Sequence, residues 1–107
     1  MYQLYFYVPA SHSEAVKNAL FAKGAGRFAG YDSCAWECSG MGQFRPLAGS
    51  TPFIGSRDKL ERVPEVKVEM IVPDEAAAEV VAELRRSHPY EEPAFGLIRI
   101  EIPAGAS

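Results

Sequence analysis

The sequence predicts an α+β fold of the ferredoxin-like plan, a βαββαβ order with an elaborated central hairpin and two helices over one face of an antiparallel sheet. Three observations carry this. Two amphipathic helical stretches each follow a strand-like alternation, the segment VPEVKVEMIVP alternates cleanly near the middle, and a last alternating run closes the chain. With 107 residues, 48% of them hydrophobic, the chain fits one domain over 1–107 with a real core.

The first strand is YQLYFYVP, with Tyr2, Leu4, Phe6 and Val8 on one face and Gln3, Tyr5 and Tyr7 on the other. Ser11 and Glu14 have the spacing of a capping box, Val16, Ala19 and Leu20 make a helical stripe, and Gly24 supplies a left-handed stop, which predicts a helix over 12–23. After the glycine-rich GAGRFAGYDS, the segment CAWEC sets Cys34, Trp36 and Cys38 against Ala35 and Glu37, and SGMGQFRPL follows at hairpin distance. Two strands joined by a Ser-Gly turn are expected. On one extended strand the α-carbons of Cys34 and Cys38 would stand about 13 Å apart, beyond disulfide reach.

A loop with Gly49, Pro52 and Gly55 leads to the clearest strand, where Val66, Val68, Met70 and Val72 oppose Lys67, Glu69 and Ile71. Pro73 and Asp74 begin the second helix, with Asp74 as its expected N-cap and Ala77, Val80, Val81 and Leu84 at helical spacing. Arg85, Arg86 and His88 sit at its C-terminal end, where positive charge is favoured. In the last strand Ile98, Ile100 and Ile102 are expected to point inward and Phe95 and Leu97 outward, and residues 103–107 are expected to fray. The outer face would then carry Tyr5, Tyr7, Ile71, Phe95 and Leu97, enough apolar surface to predict cover by another copy of the chain.

The formal charge of -3, from 14 acidic and 11 basic residues with no basic run, argues against nucleic acid and anionic membrane as partners. No stretch approaches the roughly 18 to 20 apolar residues of a membrane span. The N-terminus opens on a strand pattern rather than a signal peptide, and with two cysteines suited to a reducing compartment this predicts a cytoplasmic protein.

The most loaded stretch is HPYEEPAF, residues 88 to 95. One reading makes His88 and Glu92 ligands of a divalent ion such as zinc, copper or manganese, with Tyr90 and Glu91 lining a pocket at a subunit boundary. The other makes it a corner: His88 caps the helix, Pro89 forbids its continuation, and Pro89 and Pro93 frame an extended turn around a packed tyrosine. Cys34 and Cys38 lack C-x-x-C spacing, so buried structural thiols beside Trp36 compete with a soft-metal site. GAGRFAG follows a helix and lacks a G-K-[ST] ending, so it satisfies no phosphate-loop pattern, although Arg27 and Tyr31 could touch a ligand in a subunit cleft. Ser11, His12 and Ser13 read as a helix start, and no catalytic constellation is found.

The span GAGRFAGYDSCAWECSGMGQFRPLAGSTPFIG, the following E-x-V-x-E strand and HPYEEPAF together resemble the domain inserted in bacterial dinuclear-metal hexameric proteins of the NIF type, here in a free-standing form. The S-H-P-Y-E-x-P tail is also similar to the CutA divalent-cation-tolerance family. The resemblance implies a PII/CutA-like subunit, a homotrimer with sheets facing inward, and a non-catalytic binding or regulatory module with ligands in the subunit clefts. The larger proteins hold their metals outside this insert with histidine-rich motifs that this chain lacks, so a GTP cyclohydrolase label should not pass to it. The alternative implied is an accessory or assembly domain for a separate dinuclear-metal partner.

Overall fold

A computed structural model describes residues 1–103; the expected fraying of the tail falls mostly outside them. Strand β1 (Tyr2–Pro9) leads through a short 3-10 turn, Ala10–His12, into helix α1 (Ser13–Phe21). Strands β2 (Trp36–Phe44) and β3 (Glu61–Val72) follow, then a second 3-10 turn, Asp74–Ala76, helix α2 (Ala77–Ser87) and strand β4 (Phe95–Arg99). The sheet runs β2-β3-β1-β4 with every neighbouring pair antiparallel, so the split βαβ plan is realised. Among the described residues no helix is long and apolar enough to cross a membrane.

Register follows the hydrophobic parity. Leu4 lies opposite Met70, Phe6 opposite Val68 and Val8 opposite Val66, and all six are buried. Val16 and Leu20 of α1 and Val80 and Leu84 of α2, each pair one helical turn apart, close over them. Each such side chain contributes about 1.5–3 kcal/mol relative to exposure, which is why alternate positions on β1 and β3 admit little else.

Several local expectations are corrected. Neither predicted N-cap forms. The 3-10 turn moves the start of α1 to Ser13, so Ser11 contacts His12 Nδ1 at 2.8 Å and Ser13 Oγ donates to the Ala10 carbonyl at 3.1 Å. Asp74 likewise sits in a 3-10 turn, its carboxylate facing the N-terminal ammonium and Arg99; the ammonium chiefly holds its pKa below the usual value. Gly24, at φ 102°, does end α1 as expected.

The central hairpin is simpler than predicted. Ser39 and Gly40 lie in the middle of one nine-residue edge strand, paired from Trp36 opposite Glu69 to Phe44 opposite Glu61. Gly40 lacks the positive φ that a two-residue turn requires, and the twelve-residue β3 offers one long partner, so the chain turns at the loop 45–60 instead. Cys34 precedes the strand, and neither cysteine is buried: Cys34 is half-buried and Cys38 exposed, beside an exposed Trp36. The thiols are therefore not core residues.

The parity of β4 is the reverse of the expected one. Phe95 pairs with Phe6 and Leu97 with Leu4, so both lie on the helix side, while Ile98 pairs with Gln3 and turns outward. Ile100 and Ile102 fall beyond the strand. The run is apolar at both parities, so its own pattern could not choose; the Tyr7 amide, donating to the Ala94 carbonyl at 3.2 Å, fixes the register from the corner. The β2–β3 ribbon runs on to Glu61, beyond the last β1–β3 pair at Pro9 and Glu65.

Candidate functional site

At one end of the outer sheet face the loop 45–60 folds back toward the corner that follows α2. Between them lies a groove of about 620 Å³. Its floor is β2 and β3, with Cys38, Gly40, Gly42, Phe44, Glu65 and Lys67; its walls are Pro52, Phe53 and Ile54 from the loop and Tyr90, Glu91 and Glu92 from the corner. A β-carbon at Gly42 would run into the carboxylate of Glu65. That glycine gives Glu65 room to lie across β2, where its Oε2 accepts a hydrogen bond from the Tyr90 hydroxyl at 2.8 Å.

Tyr90 is the hub of the wall. Its ring centroid is 5.9 Å from Phe44, 6.5 Å from Phe53 and 5.0 Å from His88. Phe53 in turn meets His12 edge-on at 5.4 Å. Beside Tyr90, Glu91 Oε1 accepts from the Thr51 amide at 2.7 Å and fastens the loop to the corner. Burial, then the Glu65 carboxylate, push the Tyr90 phenol far above its usual pKa, so it remains a hydrogen-bond donor.

His88 stands behind this wall, 5% exposed. Its backbone amide closes the last turn of α2 on the Leu84 carbonyl at 2.9 Å. Its Nε2 lies 2.6 Å from the Tyr7 carbonyl, and its Nδ1 accepts from the Tyr90 amide at 3.1 Å. A carbonyl can only accept, so Nε2 carries the proton and the ring is neutral. Burial is the main cause lowering its pKa, against the opposing pull of the Tyr7 hydrogen bond and Glu65.

Of the sequence candidates, Tyr90, Glu91 and Glu92 line the groove. His88 does not open onto it, and both of its ring nitrogens are engaged, so it lacks a free lone pair for the ion assigned to it with Glu92. Among the described residues no three His, Cys, Asp or Glu side chains converge as a metal cluster. Arg27 and Tyr31 are exposed on the turn closed by the Phe28–Tyr31 bridge and do not line the groove. Sequence reasoning missed Phe44, Phe53 and Glu65. Glu65 carried a usable signal, since it shares the outward parity of Lys67 and Glu69 on β3; the landing place of Phe53 depends on a sixteen-residue loop with no periodicity.

The groove is mostly aromatic and aliphatic, with Lys67 on its floor and carboxylates at its rim, a chemistry suited to holding a partly apolar molecule. Lys67 Nζ lies 5.7 and 6.0 Å from the rings of Tyr5 and Tyr7.

No family model matches the chain. It is 47% identical over 97 residues to the Mycobacterium tuberculosis protein described as a GTP cyclohydrolase 1 type 2 homolog, a match covering 91% of this chain and 26% of that protein. The Bacillus subtilis protein of the same description is 40% identical over 99 residues, covering 92% and 26% respectively. The chain thus spans about a quarter of the length of the curated relatives it matches. Among solved structures, a Bacillus cereus protein related to NIF3 superposes with a TM-score of 0.80 at 33% identity, over 94% of this chain and 26% of that one. The divalent cation tolerance protein CutA of Archaeoglobus fulgidus has a TM-score of 0.68 at 21% identity, over 98% and 89%, which shows a shared fold. The chain is therefore homologous to one domain, about a quarter in length, of proteins of the NIF3 family, and that domain is built on the CutA-like, ferredoxin-like plan.

Proposed function

We propose that the chain is a non-catalytic binding and assembly module of the cytoplasm, a homotrimer that holds a small, partly apolar ligand in the groove beneath Tyr90. The groove itself carries the reading: an aromatic hollow is framed by two segments, the loop 45–60 and the corner 88–94, that hydrogen bonds tie to each other and to β3. Support for assembly comes from the outer face, where Tyr5, Tyr7, Ile71, Trp36 and Ile98 remain at least partly exposed. These apolar groups alternate with Lys67 and Glu69, a mixture suited to an interface between folded subunits. The metal-ligand role of His88 is not carried forward, because the ring is committed to the corner.

Native mass spectrometry of the full chain gives the subunit count, and fluorescence of 8-anilino-1-naphthalenesulfonate at neutral pH reports groove occupancy. A trimer that binds the dye, with Phe53→Asp removing the dye and Trp36→Asp lowering the subunit count, supports the reading. A monomer, or dye binding indifferent to Phe53→Asp, defeats it. Capture of a dinuclear-metal protein by the same outer face, with Trp36→Asp abolishing the capture, would favour the accessory role over self-assembly.

A further inference from the structure

The chain has two histidines, and both touch the aromatic wall of the groove: His12 against Phe53 and His88 against Tyr90, with Phe53 and Tyr90 in contact between them. We propose that His88 is an acid-operated latch on the groove, whose protonation frees the Tyr90 corner and, through it, the loop 45–60. The inference rests on the groove being a binding site and supplies its regulation.

The argument is one of donors and acceptors. In the closed corner Nε2–H donates to Tyr7 and Nδ1 accepts from the Tyr90 amide, so the ring's only acceptor atom is in use. An imidazolium has no acceptor. Adding a proton at Nδ1 sets N–H against N–H and leaves the Tyr90 amide without its partner, while the Tyr7 bond survives. The corner must then move at Tyr90. That residue also holds Glu65 through its hydroxyl and Phe53 through its ring, and its neighbour Glu91 holds the Thr51 amide. One proton therefore acts on the first link of a series that ends on the loop forming the opposite wall.

The surroundings set where the latch trips. On β3, Glu65 attracts the charged ring and resists opening, while His12, at the head of α1, disfavours the charge. From β1 the facing group is the Tyr7 carbonyl, and from the corner it is the neutral Tyr90 phenol, with Glu91 and Glu92 beyond it on the exposed rim. On its own helix, Arg85 lies over the Phe95 ring at 5.1 Å and Arg86 pairs with Glu83. Burial keeps the ring neutral below the ordinary histidine range. The opened corner takes up the proton more readily than the closed one, so acid below about pH 6.5 favours opening and neutral pH favours closure.

The test follows the C2 proton of His88 and the amide protection factors of Tyr90, Thr51 and Val68 by NMR on the full chain between pH 7.5 and 4.5, without dye. The expected result is a loss of Tyr90 and Thr51 protection by about tenfold or more, in step with His88 titration, while Val68 in the core keeps its protection. His88→Gln, whose amide can offer both a donor and an acceptor without titrating, should remove the step; His12→Asn should retain it and move it to higher pH. Tyr90 protection that persists through His88 titration overturns the latch, as does an unchanged step in His88→Gln or simultaneous loss at Val68. Should His88→Gln fail to fold, the wild-type comparison of Tyr90 with Val68 still decides. Amide steps without dye binding at neutral pH would sink the binding-site reading while leaving the latch in place, and dye binding without the steps would do the reverse.

Discussion

The two faces of the one sheet are built from alternate residues of the same strands, yet different forces hold them. On the helix side Leu4, Phe6, Val68, Met70 and their neighbours are buried among aliphatic groups from α1 and α2. On the outer side Tyr5 and Tyr7 meet edge-on at 6.3 Å, Lys67 stands over both rings and 3.7 Å from Glu69, and Gln3 donates to Glu69 at 3.0 Å. The first face draws its stability from removal of water. The second is a network of weak polar and aromatic contacts, each screened and individually small. A residue's parity on β1 thus decides which currency of interaction its loss would affect.

The largest test of that contrast is Phe6→Ala against Tyr5→Ala under conditions where the protein is monomeric. Phe6→Ala should cost about 3–5 kcal/mol in urea unfolding, because it leaves a cavity at the sheet centre. Tyr5→Ala should cost distinctly less, and equal losses would erase the contrast. Gly96→Val comes next. Gly96 pairs with Tyr5, whose ring lies directly over it, so a side chain there would push the ring aside at a cost of about 1–3 kcal/mol. If the variant melts with the wild type, the tyrosine is not seated on that glycine.

A smaller effect is expected at the groove. Tyr90→Phe removes the hydrogen bond to Glu65 and should lower stability by about 1 kcal/mol, measured by thermal unfolding at neutral pH. The smallest lies on the helix surface, where Lys17 pairs with Glu14 and Glu37. Those partners raise the Lys17 pKa above 10.5, so its contribution is full below that pH and fades as pH rises through the raised value. Lys17→Met should cost about 0.5 kcal/mol or less at neutral pH, diminishing in high salt.

Legibility in the sequence tracked the same division. Period-2 burial on β1 and β3 and period-3.6 burial on both helices appear directly as hydrophobic pattern, because water excludes any other choice at those positions. The parity of β4 did not, since Phe95, Leu97, Ile98 and Ile100 offer apolar side chains to both faces and backbone bonds at the two ends, Tyr7 to Ala94 and Ile100 to Met1, select between them. Ser39–Gly40 has turn composition inside a strand, and a glycine's freedom to turn does not oblige it to. At the site, Tyr90 and the two glutamates stood out through their local motif. Glu65 was readable from its outward parity on β3, whereas Phe53 reaches the same groove through tertiary contacts that local composition does not encode.

The position of β1 has a consequence for biosynthesis. Tyr2 pairs with Val72 on one side and Arg99 on the other, so this strand leaves the ribosome well before either of the partners it lies between. At about 5–20 residues per second, several seconds pass before either appears. Throughout that interval YQLYFYVP has two unpaired edges and aromatic rings on both faces, the features most open to association with another nascent chain. Native pairing at such sequence separation is also slow to nucleate. The centre of the finished sheet is thus the segment that waits longest for its neighbours, and chaperone demand during translation should fall most when this octapeptide is made less sticky.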